Sequence, residues 1–296
     1  MNPFNTMRVA TAVAVSGVAI FSLAVGQTNK MVQEAYALRM AGDADAALEI
    51  LELAVAENPD DAAAWHELAR TKNHIGLGNP RSMVEGMNDI QAAAEKAAGL
   101  EPDNLIYAVW KAKTRGTGAY ISLKQQAPDA KKKVLEYVEA YERVLELQPD
   151  YHEARLALVE YLKMLPAEMG GNPAQAEEYT RQLEKADAIL GAQAREMLQG
   201  PETDTIEFWQ KTMENHPDNA DVLERLGKAY LYRQSEKGIE HLKKATELDA
   251  AKNTLHLDIA RYYMYQAMRD ADTLKALAPK MNNAFEAYIN SQPAPV

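Results

Sequence analysis

His66 and Glu67 stand side by side, as they would at the start of a helical zinc-protease site. That chemistry needs a second imidazole one helical turn after the first, so that two nitrogens close on one metal ion. Arg70 occupies that position, and the second ligand is missing. His74 lies two turns beyond His66, roughly 12 Å away at the rise of an α-helix, too far to share an ion. The chain contains no G-x-x-x-x-G-K-[ST] phosphate loop and no G-x-S-x-G nucleophile elbow. It has no cysteine, which excludes disulfides, thiolate metal ligands and cysteine nucleophiles. Carboxylates are abundant, but no pair stands apart from the solvated faces of Ala/Glu/Lys helices. A carboxylate pair assembled in space stays open as an alternative, an enzyme with scattered active-site residues. The leading reading is a protein that is not an enzyme and needs neither cofactor nor metal.

The elements that would carry these residues are helical. Of 296 residues, 47% are hydrophobic and 25% charged, a globular balance. Ala, Glu, Leu and Lys dominate, and aromatics make up 7%, a helix-forming composition. There are 32 basic and 43 acidic residues, a formal charge of −11, which argues against a nucleic-acid partner because phosphates demand a basic surface.

Residues 1–26 differ from the rest. Arg8 is their one charged side chain, and Val9 to Val25 is an apolar run broken by Thr11, Ser16, Gly17 and Ser22. Ala24-Val25-Gly26 supplies a small-x-small end, so the segment reads as a secretory signal peptide cleaved after Gly26. This predicts a periplasmic or secreted protein with no stable membrane insertion after cleavage. The alternative is a protein anchored in the membrane through residues 9–25, a run near the lower length limit for a span.

A repeat organises the remainder. Asn58-Pro59-Asp60, Glu101-Pro102-Asp103, Gln148-Pro149-Asp150 and His216-Pro217-Asp218 are variants of one phrase. Proline ends a helix, and the Asp or Asn that follows caps the next. Leu223-x2-Leu226-Gly227-x2-Tyr230 resembles the first half of the tetratricopeptide repeat, with Leu in place of its Trp. Ala47-x3-Leu51, Ala54 and Pro59 resemble the second half, and Trp65-x2-Leu68-Ala69 opens a further unit. Phe285, Tyr288 and Pro293 close the last one. The resemblance, to the exported bacterial type, covers 28–293. It implies an all-α fold, an α-solenoid of about seven stacked helix hairpins in which Ala35, Ala69 and Gly227 let paired helices touch. Two blocks are expected: N-terminal repeats over 27–200, lengthened at 75–90 and 115–130, and C-terminal repeats over 201–296, with a hinge or break at Gly200-Pro201. Gly78-Asn79-Pro80 and Gly171-Asn172-Pro173 should each end one helix and cap the next.

The family resemblance also implies what binds. The first helix of each hairpin would line a concave surface and hold a protein or peptide partner. Carried over, Arg39, His66, Arg70, Asn73, His74 and Lys113 give a basic, amide-bearing region. Glu153, Glu160, Asp221, Glu224 and Asp258, with Tyr232, Tyr262 and Tyr265, give an acidic, aromatic one. The first set resembles the carboxylate clamp of chaperone-binding members but only partly matches it. Of the Tyr262-Tyr263-Tyr265 run, one ring is expected in the core, and Trp65, Trp110 and Trp209 are expected to pack there. Phe285, Tyr288 and Ile289 face either the preceding repeat or another copy, which leaves an oligomer open. A scaffold or adaptor, including a subunit of an envelope complex, is the leading reading. A small-ligand-binding accessory protein of a transport system is the alternative.

Overall fold

A computed structural model describes residues 29–200 and 203–292. The segment 1–26 expected to be a signal peptide, Pro201 and Pro293 lie outside these residues. Fourteen α-helices and no strand occur among them, packed in adjacent pairs. The first, α1, is described over 29–40. Then come α2 (Ala44–Glu57), α3 (Ala62–Gly78), α4 (Pro80–Leu100), α5 (Leu105–Lys124), α6 (Ala130–Leu147) and α7 (His152–Met164). They are followed by α8 (Pro173–Ala186), α9 (Ala188–Leu198), α10 (Thr205–Asn215), α11 (Ala220–Tyr232), α12 (Lys237–Leu248), α13 (Leu255–Arg269) and α14 (Leu274–Ile289). The all-α hairpin architecture expected from the sequence is present.

The proline phrases work as their chemistry requires. α2 stops at Glu57 before Asn58, and the Asp61 carboxylate accepts the Ala64 N–H at 3.0 Å to start α3. Asn104 starts α5 and Asn219 starts α11, each with two side-chain caps. The third phrase differs: Tyr151 precedes α7 with no side-chain cap. Gly78-Asn79-Pro80 behaves as expected, Asn79 accepting the Arg81 N–H at 3.0 Å with Pro80 in the first turn. Gly171-Asn172-Pro173 does so by half. Asn172 accepts the Gln175 N–H at 3.2 Å, but α7 has already ended at Met164, and a 3-10 turn, Ala167–Met169, intervenes. Pro166 stops the helix first.

The extra residues at 75–90 and 115–130 are absorbed as added helical turns. α3, α4, α5 and α6 have 17, 21, 20 and 18 residues, whereas α11 and α12 have 13 and 12. Both members of each long hairpin are extended. The irregular stretch of the repeat coincides with the two shortest α-helices, α9 and α10, at 11 residues each.

Contacts divide the chain into two compact units, Met1–Gln175 and Ala176–Val296. In the first, Ala35, Ala47, Leu51, Ala64 and Ala69 form a fully buried small-residue core, with Trp65 and Trp110 packed half-buried on its edge. In the second, Leu223, Leu242, Leu255 and Ile259 make the core of α11–α14, and Trp209 is wholly buried beside Val222 and Leu226. Gly227 and Gly238 bring α11 and α12 together. A β-carbon on Gly227 would stand 2.6 Å from Leu242 Cδ2 and 2.9 Å from the Gly238 carbonyl. Two rings of the tyrosine run, Tyr262 and Tyr263, are buried rather than one, and Phe285 and Ile289 on α14 are exposed.

Candidate functional site

In the first unit, α1, α3 and α5 bring Arg39, His66, Glu67, Arg70, Tyr107 and Trp110 into one cluster. Arg39 Nε donates to Glu67 Oε1 at 2.7 Å, and both side chains are only 5% exposed. Arg70 approaches the second oxygen of the same carboxylate at 3.7 Å. The His66 ring packs on Tyr107 with centroids 4.9 Å apart and edge-on to Trp110 at 6.0 Å. Burial, then the positive charges of Arg70 and Arg39, lower the His66 pKa to about 4, so the ring is neutral at physiological pH. Arg39 Nη2, His66 Nδ1 and Trp110 Nε1 are buried without a hydrogen-bond partner.

The sequence-derived residues of this unit therefore separate. Arg39 is buried in an ion pair rather than open to a partner, because Glu67, read in the sequence only as part of an incomplete zinc-protease pattern, neutralises it. His66 is half-buried in the aromatic packing. Arg70, Asn73 and His74 are partly exposed on α3, and Lys113 is exposed on α5. Glu153 and Glu160, assigned to the acidic C-terminal region, are exposed on α7 and belong to the first unit. Arg115, two residues from Lys113, was missed. It bridges Glu95 at 2.6 Å and Glu136, tying α5 to α4 and α6. Only the fold could reveal this, since both acids lie about 20 positions away.

In the second unit, Tyr232, Tyr262, Tyr265 and Asp258 line a surface cavity of about 330 Å³ on α11 and α13, together with Lys228 and Arg261. Tyr232 is 85% exposed and Tyr265 half-exposed, whereas Tyr262 is buried and its hydroxyl donates to the Gln234 carbonyl at 3.2 Å. The expected acidic character is largely cancelled. Lys252 pairs with Asp221 at 2.6 Å and Glu224 at 2.7 Å. Lys228 contacts Glu224 and Asp258, and Arg261 contacts Asp258 at 3.2 Å. Spacing along α11 and α13 shows the Lys228–Glu224 and Arg261–Asp258 pairs, but not Lys252 from the turn after α12 or the reach of Lys228 to Asp258 on α13.

No group of three His, Asp or Glu side chains that could hold a metal ion occurs among the described residues. No described helix is long and apolar enough to cross a membrane.

The fold and these helix surfaces define a repeat protein of stacked helical hairpins. Residues 31–71, which span α1 to the middle of α3, match the family Tetratricopeptide repeat. No curated protein matches it in sequence. Among solved structures it is similar to a tetratricopeptide repeat protein from Parabacteroides merdae, with 14% identity over 89% of this chain and 99% of the other and a TM-score of 0.48. It is also similar to TTC0263, a thermophilic TPR protein of Thermus thermophilus, with 18% identity over 87% and 98% and a TM-score of 0.39. YrrB, described as a TPR protein with an unusual peptide-binding site, aligns at 16% identity over 74% and 84% with a TM-score of 0.34.

Proposed function

We propose that the protein is an exported, non-catalytic scaffold that holds a protein or peptide partner on the surfaces of its first helices. The observation that carries this reading is where adaptable apolar side chains are exposed. Among the described residues, the exposed tyrosines are Tyr36, Tyr120, Tyr232 and Tyr265, and the exposed methionines are Met40, Met164, Met264 and Met268. All eight lie on α1, α5, α7, α11 or α13, the first helices of their hairpins. The second helices expose only Leu, Val, Ile and Phe at comparable size. Tyrosine gives amphipathic contact area at low entropy cost, and methionine repacks around varied shapes, so both suit recognition better than they suit solvent. On the first helices α3 and α5, Arg70, Asn73, His74 and Lys113 supply donors for carboxylates and backbone carbonyls.

The test is affinity capture from a native envelope fraction, with the wild-type chain and the Arg70→Glu/Lys113→Glu double variant as baits. A specific protein retained by the first and lost by the second is expected. Equal retention by both would remove α3 and α5 from the interface. Export is tested separately by sequencing the mature N-terminus, expected at Gln27.

A further inference from the structure

A second cavity, of about 670 Å³, opens in the second unit between the end of α12, α13 and α14. That volume lies in the range of small-molecule sites. Its lining is mixed, with Lys243, Thr246, His256 and Asn283 as polar groups and Ile259, Tyr263, Ala284 and Ala287 as apolar ones. Two further lining residues, Asn253 and Ser291, are tied together. Asn253, which is buried, donates to Ser291 Oγ at 3.0 Å, and Ser291 Oγ donates to the Tyr288 carbonyl at 2.8 Å. This chain ties the loop after α12 to the end of α14.

The charges at the cavity are unequal. Lys280 is satisfied, held by Glu236 at 3.0 Å with its ammonium 5.1 Å from the centre of the Tyr263 ring. Lys243 makes no ion pair with any described residue. Burial, then the nearby Lys243 charge, push the His256 pKa down, which favours the neutral ring with its single N–H. Glu247 is the one carboxylate of the lining. Lys243 is the ammonium of the lining that no ion pair holds, set beside the donors of His256 and Asn283 and one helical turn from Glu247 on α12.

We propose that this cavity binds a small organic monoanion, a carboxylate carried on an apolar body. The carboxylate meets Lys243 and the His256 and Asn283 donors, and the apolar body lies on Ile259, Tyr263, Ala284 and Ala287. The inference is independent of the partner surface on the first helices.

Hexanoate titrated calorimetrically into the full chain is the direct probe, with hexan-1-ol, hexylammonium and inorganic phosphate as comparisons. Saturable one-to-one binding of hexanoate near ~1 mM is expected, with at least tenfold weaker binding of the other three. Lys243→Met should weaken hexanoate at least tenfold. Ala287→Trp, which keeps every charge but fills the cavity, should abolish binding. Lys243 and Ala287 are exposed, so both variants should melt close to the wild type, and circular dichroism verifies this. Absence of saturable hexanoate binding overturns the proposal, as does equal affinity for hexanol. Preference for phosphate, or unchanged binding by Lys243→Met, overturns the carboxylate assignment.

Discussion

Arg39 and Glu67 show how much a single residue's meaning depends on its partner. Each would be costly to bury alone, and together they span α1 and α3 at 2.7 Å. Truncating one partner strands the other charge, so Glu67→Ala should destabilise the protein by about 3–5 kcal/mol, read from denaturant midpoints. The Arg39→Met/Glu67→Leu double variant should lose much less, because no buried charge remains. His66 yields a pH prediction. Its folded pKa of about 4 lies below the unfolded value of 6.5, so the unfolded chain binds the extra proton between these limits. Its contribution is fully present above pH 6.5 and is lost as pH falls towards 4. Discounted for the part of the ring that water reaches, the loss is about 1–2 kcal/mol. Urea midpoints at pH 7 and 4.5 should show a shallower drop for His66→Gln than for the wild type; an equal drop would mean that the ring titrates normally.

At the scale of the element, helix ends and helix contacts set stability. α5 ends with Gln126 at a φ of +52°, a left-handed conformation that costs an L-residue about 1 kcal/mol. The turn itself is well made, with Gln126 N–H bonded to the Leu123 carbonyl and Ala127 N–H to that of Ser122. α1 solves the same problem with Gly42, at a φ of +90°. Gln126→Gly should therefore raise the melting temperature by about 2–4 °C, measured calorimetrically. Gly227→Ala should do the reverse. Its new methyl would meet Leu242 and the Gly238 carbonyl, and backbone cannot step aside cheaply. A loss of about 1–3 kcal/mol is expected from the unfolding midpoint, with Ala229→Gly on the same helix as a control for propensity alone.

For the whole molecule, the proposal that exposed rings on the first helices hold a partner predicts that binding and stability separate under mutation. Replacing Tyr36, Tyr120, Tyr232 and Tyr265 together with Ser removes four exposed rings and leaves the core untouched. Exposed substitutions usually change stability by less than about 0.5 kcal/mol each. The quadruple variant should therefore keep its helicity by circular dichroism while losing partner capture. A collapse of helicity would show that these rings hold the helices together.

Much of this molecule was legible in the chain itself because helix periodicity, proline stops and Asn/Asp caps are local physics. Asn79, Asp61 and Asn219 each satisfy backbone groups within three residues of themselves. Alanine at 35 and 69 and glycine at 227 mark close contacts because small size is visible in sequence. Composition likewise determined an acidic, cysteine-free, all-α protein. What only tertiary structure decided was which charges cancel and which rings are open. Glu67 lies 28 positions from Arg39, Lys252 lies 31 from Asp221, and Tyr262 finds its acceptor at Gln234. Electrostatic compensation and burial depend on distance in space, which a helical repeat sets by stacking one turn against another, and no spacing along one helix encodes it.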